Sequence, residues 1–180
     1  MAVQALAPIN KKLTAKLVLP MIEKLPSDVN EPYWTSEAAN LTHVVMHLDD
    51  VSVWRSYLKA AKGSAVGLRM EMMGPMNYAH IEEKNLEFRL AFLSAFLDDG
   101  TVRDQSVDKH KFDGPCAAFT FKKICVRNYV TMKLSSLILD TDDHPDDSWT
   151  QKQWDAFRNQ VQLKLADHKL PDITSKTNGH

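Results

Sequence analysis

Apolar residues return every three to four positions over most of this chain, the period of α-helices that bury one face. Between Pro8 and Leu25 the apolar residues Leu13, Leu17, Met21 and Leu25 recur every four positions, which predicts a helix broken near Pro20. Leu25-Pro26-Ser27-Asp28 ends it. Thr35 or Ser36 is the N-cap candidate of a second helix, with Glu37 in the first turn where the helix dipole favours an acid. Leu41, Val44, Val45 and Leu48 form its apolar face. After Asp49-Asp50 the helical pattern continues from Val51 to Ala61, and Lys62-Gly63-Ser64 stops it.

The stretch Met70 to Met76 contains Gly74-Pro75, which breaks or sharply kinks any helix there. Beyond it, Met76 to Leu97 reads as one long helix. From Phe88 to Leu97 this helix is apolar on nearly every side, the mark of a central buried helix. It ends at Asp98-Asp99-Gly100. Residues 101–124 are rich in turn signals, with a short extended piece expected over Phe119 to Ile124. A further helix is predicted from Val126 to Ile138, with Val130, Leu134, Leu137 and Ile138 inward. Asp140 to Asp147 reads as an acidic loop. The last helix has the clearest start: Thr150 and Gln153 form a capping box, Trp149 and Trp154 a hydrophobic staple, and Trp154, Phe157, Val161 and Leu165 a buried stripe. Leu170-Pro171 closes it. The fold class that follows is all-α, a helical bundle forming one domain over residues 1–170, with residues 171–180 as a disordered tail.

Composition narrows the picture. The chain has 180 residues, 44% of them hydrophobic, enough for one domain with a substantial core. A formal net charge of −1 with both signs dispersed argues against nucleic-acid binding. Cys116 and Cys125 make no zinc motif and read as buried free thiols of a reducing compartment. Met1 to Asn10 lacks the apolar run of a signal peptide, and no apolar run approaches the roughly 18 residues of a transmembrane helix. A cytoplasmic protein is therefore expected.

Asp98 and Asp99 carry the strongest chemical signal. They sit at the C-terminal end of a buried helix, where the dipole places partial negative charge and favours cations instead. A divalent cation such as Mg²⁺ would remove that conflict, and Arg103 would give a bidentate contact to a phosphate on the same ion. A pair of solvated acids before a glycine cap is the bland alternative. Asp-Gly-Thr also belongs to the haloacid dehalogenase nucleophile loop, but Leu97 stands where the nucleophile is needed, so that chemistry is excluded. Asp49-Asp50 form a second acidic pair that could face the same cavity from a neighbouring helix, or simply mark a solvated junction. His80, Glu83 and Glu87 share a helix face and read more readily as surface pairs than as ligands. Lys122, Lys123, Arg127 and Lys133 form either a basic rim or a solvated face. The methionines at 70–76 suit an adaptable apolar pocket or plain core filling.

Met70-Glu71-Met72-Met73-Gly74-Pro75-Met76-Asn77-Tyr78, Ala95-Phe96-Leu97-Asp98-Asp99, Val102-Arg103-Asp104 and Gly114-Pro115-Cys116-Ala117 together resemble the C-terminal part of the atypical fungal sesquiterpene cyclases of the α-humulene-forming kind, found in meroterpenoid pathways. The resemblance runs from about residue 40 to 165. It implies a terpenoid-synthase-like helical fold and an Mg²⁺-dependent cyclase, a carbon–oxygen lyase that ionises an allylic prenyl diphosphate such as farnesyl diphosphate. It implies Asp98, Asp99 and Asp104 as metal ligands, and Asp98, Asp99 and Arg103 as the catalytic set. Asn77, Tyr78, Phe92, Phe96, Arg103 and Lys133 would contact the substrate. Two other readings fit the same residues: a metal-independent relative that binds an apolar terpenoid and guides its isomerisation or cyclisation by shape, and a helical interaction protein without catalysis. Association with a second copy of the chain is compatible with all three.

Overall fold

The structure is a computed structural model, described here over residues 9–26, 37–77, 85–104, 121, 123–139 and 145–175. It is mostly helical, in agreement with the all-α expectation. The helices are α1 (Lys11–Glu23), α2 (Glu37–Val45), α3 (Val51–Gly63), α4 (Val66–Met73), α5 (Leu86–Ser94), α6 (Val126–Ile138) and α7 (Gln151–Leu165). A 3-10 turn, Gly74–Asn77, follows α4 directly, where Gly74-Pro75 was expected to end regular helix. Two short strands, β1 (Val102–Asp104) and β2 (Lys123–Cys125), pair antiparallel with Arg103 opposite Ile124. The second strand falls at the end of the extended piece expected at 119–124; the first lies in a stretch read as turns.

Packing runs α1 on α3, α2 on α4, α5 on α6 and α7 on α6. The core is continuous from Val18 and Ile22 of α1, through Leu41, Val44 and Val45 of α2, to Val130 and Leu134 of α6. All four methionines of the Met70–Met76 stretch are core residues, at most 1% exposed. No helix among the described residues is long and apolar enough to cross a membrane.

Several predicted boundaries hold for the predicted reasons. Thr150 and Gln153 exchange both bonds of a capping box, and the Trp149 and Trp154 rings lie 5.3 Å apart as the staple requires. The helix predicted over Val126 to Ile138 has those bounds. The apolar run of α2 does not flow into α3: Asp50 caps a separate helix, accepting from the backbone amides of Ser52 and Val53.

Four expectations are overturned. The helix expected from Met76 to Leu97 is not continuous, because Asn85 takes a left-handed backbone conformation (φ 65°) and α5 starts only after it. The Asn85 side chain donates to the Met46 carbonyl at 3.1 Å, which ties this irregular residue to the end of α2. In α1 the four-residue repeat that betrays the helix is not its buried face. Thr14, Ala15, Val18 and Ile22 face the core, whereas Leu13 and Leu17 are exposed. The helix also runs through Pro20, which stands on the exposed side, where water can serve the carbonyl that proline leaves without a donor. Finally, the first residues of the expected tail are docked: Ile173 is buried at 1% exposure, and Arg55 of α3 donates to the Asp172 carbonyl. Thr35, Ser36, Cys116 and the trio's His80 and Glu83 lie outside the described residues, as does Tyr78.

Candidate functional site

The apolar interior between α3 and α5 is a column of rings. Trp54 stacks on Phe88 at 5.7 Å between centroids, Tyr57 stacks on Phe92 at 5.3 Å, and Phe92 meets Phe96 edge-on at 5.6 Å. Trp54 is anchored by its indole N–H on the Leu48 carbonyl at 2.8 Å. Tyr57 meets the Thr42 hydroxyl, and complete burial pushes its phenol far above the ordinary value despite that hydrogen bond. Phe96 ends the column, two residues before Asp98.

Asp98 is exposed and has no hydrogen bond or ion pair among the described residues. Asp99 is engaged on both oxygens. One accepts the Thr101 amide at 2.9 Å; the other forms an ion pair with Arg69. Partial burial pushes the Asp99 carboxyl upward, but the hydrogen bonds from Thr101 and the Arg69 guanidinium outweigh it and hold the group below its ordinary range. Arg69 also donates to the carbonyls of Ala61 at 3.1 Å and Ser64 at 2.8 Å, filling acceptors left over at the end of α3. The unfavourable charge at the end of the α5 segment is thus answered by a cation from thirty residues away. Nothing adjacent to Asp98-Asp99 announces that partner. The available signal was Arg69 itself, a charge inside the apolar run Leu68-Arg69-Met70-Glu71-Met72-Met73, where an ionic group needs a partner.

The remaining expected residues fall into separate places. Asp104 forms a cross-strand ion pair with Lys123 at 2.8 Å. Arg103 is buried at 6% exposure, paired across the strands with Ile124. Lys133 and Asn77 are brought together: the Lys133 amine donates to Asn77 Oδ1 and to the Gly74 carbonyl, both at 2.8 Å. Asn77 in turn donates to the Ser136 hydroxyl at 3.0 Å. Arg89 of α5 donates to the Met76 carbonyl at 3.1 Å, so two cations from different helices grip the same 3-10 turn. The Asp99 carbonyl accepts the Arg127 amide at the start of α6, so Asp99 and Lys133 sit about 9 Å apart along that helix axis, six residues at 1.5 Å each.

The two acidic pairs do not share a cavity. Asp50 caps the start of α3, and Asp49 binds Lys11 at 2.7 Å. Arg69 and Asp99 lie at the other end of the same helix, roughly 20 Å away for a helix of this length. Among the described residues no three His, Cys, Asp or Glu side chains are grouped to hold a metal ion. As a three-carboxylate magnesium site, Asp98, Asp99 and Asp104 do not fit, because Arg69 and Lys123 already neutralise two of them. Of the expected basic rim, Lys123 is spent on Asp104 and Lys133 on the 3-10 turn. No family model, curated protein or solved structure matches this chain.

Proposed function

We propose that this chain is a terpene-cyclase-like protein that takes an allylic prenyl diphosphate such as farnesyl diphosphate. The observation that carries the reading is the ring column Trp54, Phe88, Phe92, Tyr57 and Phe96, which leads to the acidic turn Asp98-Asp99. Aromatic faces stabilise cationic carbon through their quadrupole, and a prenyl chain is apolar enough to replace ring–ring contacts with its own. The rings pack on one another here, so the reading requires them to part around the chain. Asp98 is the exposed carboxylate of that turn, and the guanidinium of Arg69 pairs with its neighbour Asp99.

A second reading is favoured by the two ion pairs that occupy Asp99 and Asp104: a metal-independent relative that holds an apolar terpenoid and directs its rearrangement by shape. One assay separates the two. The protein is incubated with geranyl, farnesyl or geranylgeranyl diphosphate, with magnesium or with a chelator, and pyrophosphate release and extractable hydrocarbons are measured. Magnesium-dependent release that falls at least tenfold in Asp98→Asn, a change at an exposed side chain that leaves packing intact, supports the first reading. A parallel incubation with a neutral terpenoid alcohol such as farnesol and chelator that yields product moves the assignment to the second. No pyrophosphate from any of the three diphosphates, with or without magnesium, overturns the cyclase proposal.

A further inference from the structure

The outward face of α1 carries exposed apolar side chains beside exposed lysines. Ile9, just ahead of the helix, is 80% exposed, and Leu13 and Leu17 follow at four-residue steps with 43% and 42% exposure. Six large apolar side chains are exposed among the described residues, and these three fall within nine residues. Exposed Pro20 continues the line. Lys12 and Lys16 are exposed on its flank, one position before each leucine. Neither forms an ion pair among the described residues, whereas neighbouring Lys11 is taken up by Asp49. From Lys11 to Lys24 the chain carries four lysines and one acid, Glu23, a local charge of +3 in a molecule whose net charge is −1.

We propose that this face of α1 lies on an anionic phospholipid surface. The helix is anchored to the protein through Thr14, Ala15, Val18 and Ile22, so Leu13 and Leu17 are free to enter the boundary between headgroups and acyl chains while the lysines remain at headgroup level. With 13 residues α1 lies along the interface and does not enter it end-on. Negative lipid supplies the complement to Lys12 and Lys16. A second copy of the chain supplies the reverse, because two-fold pairing of this face brings like charges into one contact.

The test is co-sedimentation of the full chain with vesicles of phosphatidylcholine alone or with phosphatidylserine at about 30%, near 0.1 M salt. Wild-type protein binds the anionic vesicles at least tenfold better than the neutral ones, and the advantage shrinks as salt is raised. Leu13→Ser with Leu17→Ser, and separately Lys12→Glu with Lys16→Glu, each lower binding at least tenfold. Far-UV circular dichroism and the thermal midpoint verify that both variants are folded. Failure of folded wild-type protein to sediment with anionic vesicles overturns the proposal, as does binding that neither double variant weakens. A dimer in lipid-free solution that Leu13→Ser with Leu17→Ser abolishes also overturns it, and assigns the face to a second copy.

Discussion

Lys133 has no acid beside it among the described residues; its amine is held by the Gly74 carbonyl and Asn77 Oδ1 and lies 5.3 Å from the centre of the Tyr129 ring. Burial pulls its pKa down from 10.5 to about 8. The folded amine therefore gives up its proton earlier than the unfolded one. Between those two values the unfolded chain binds more protons, so stability rises with pH and levels off above the unfolded value. Below the folded value the cost of the buried charge is present in full. Urea unfolding of wild type and Lys133→Met from about pH 7 to pH 10 will show a rise confined to the wild type, worth roughly 2 kcal/mol after allowance for solvent screening. Equal slopes in the two proteins would refute this account. The resemblance implied Asn77 and Lys133 as substrate contacts, but nothing in the sequence pairs them with each other. Arg69 could be singled out as a charge in an apolar run, but its partner could not, since a charge that answers another thirty positions away leaves no periodic trace. The same residues show why Asp98-Asp99 suggested a metal: a rule broken locally can be mended from a distance, and the nearby sequence shows only the breach.

Elements were legible where their ends are chemically local. The α7 start is written in five consecutive positions, from the staple tryptophan to the capping glutamine, and all the bonds it implies form. Thr150→Ala removes the side-chain acceptor for the Gln153 amide and will lower stability by about 1 kcal/mol, read as a shift of the urea midpoint with unchanged slope. Elements were misread where local pattern competes with tertiary context. The α1 leucines obey a helical period, yet smaller neighbours take the core side, because Thr14, Ala15 and Val18 allow α1 to approach α3 closely. Asn85 stands inside the stretch read as one helix, and the bond from its side chain to Met46 belongs to the folded chain, not to the pattern.

At the scale of the molecule, four element ends meet at one place. Arg69 near the start of α4 binds the carbonyls that end α3, and its ion pair with Asp99 holds the segment that follows α5. That segment then receives the first amides of α6: Arg127 donates to the Asp99 carbonyl at 2.8 Å and Val126 to the Thr101 carbonyl at 2.9 Å. Arg69→Ala strips the guanidinium from this junction and leaves Asp99 partly buried without its counter-charge, so the loss should be about 3 kcal/mol. Chemical denaturation gives the size of that loss, and native-state amide exchange gives its reach. Because one guanidinium links the end of α3 to the segment that receives α6, these ends share a single opening reaction. Amides at the foot of α3, behind α5 and at the head of α6 will lose protection together in the variant, as one cooperative foldon whose keystone is a single side chain.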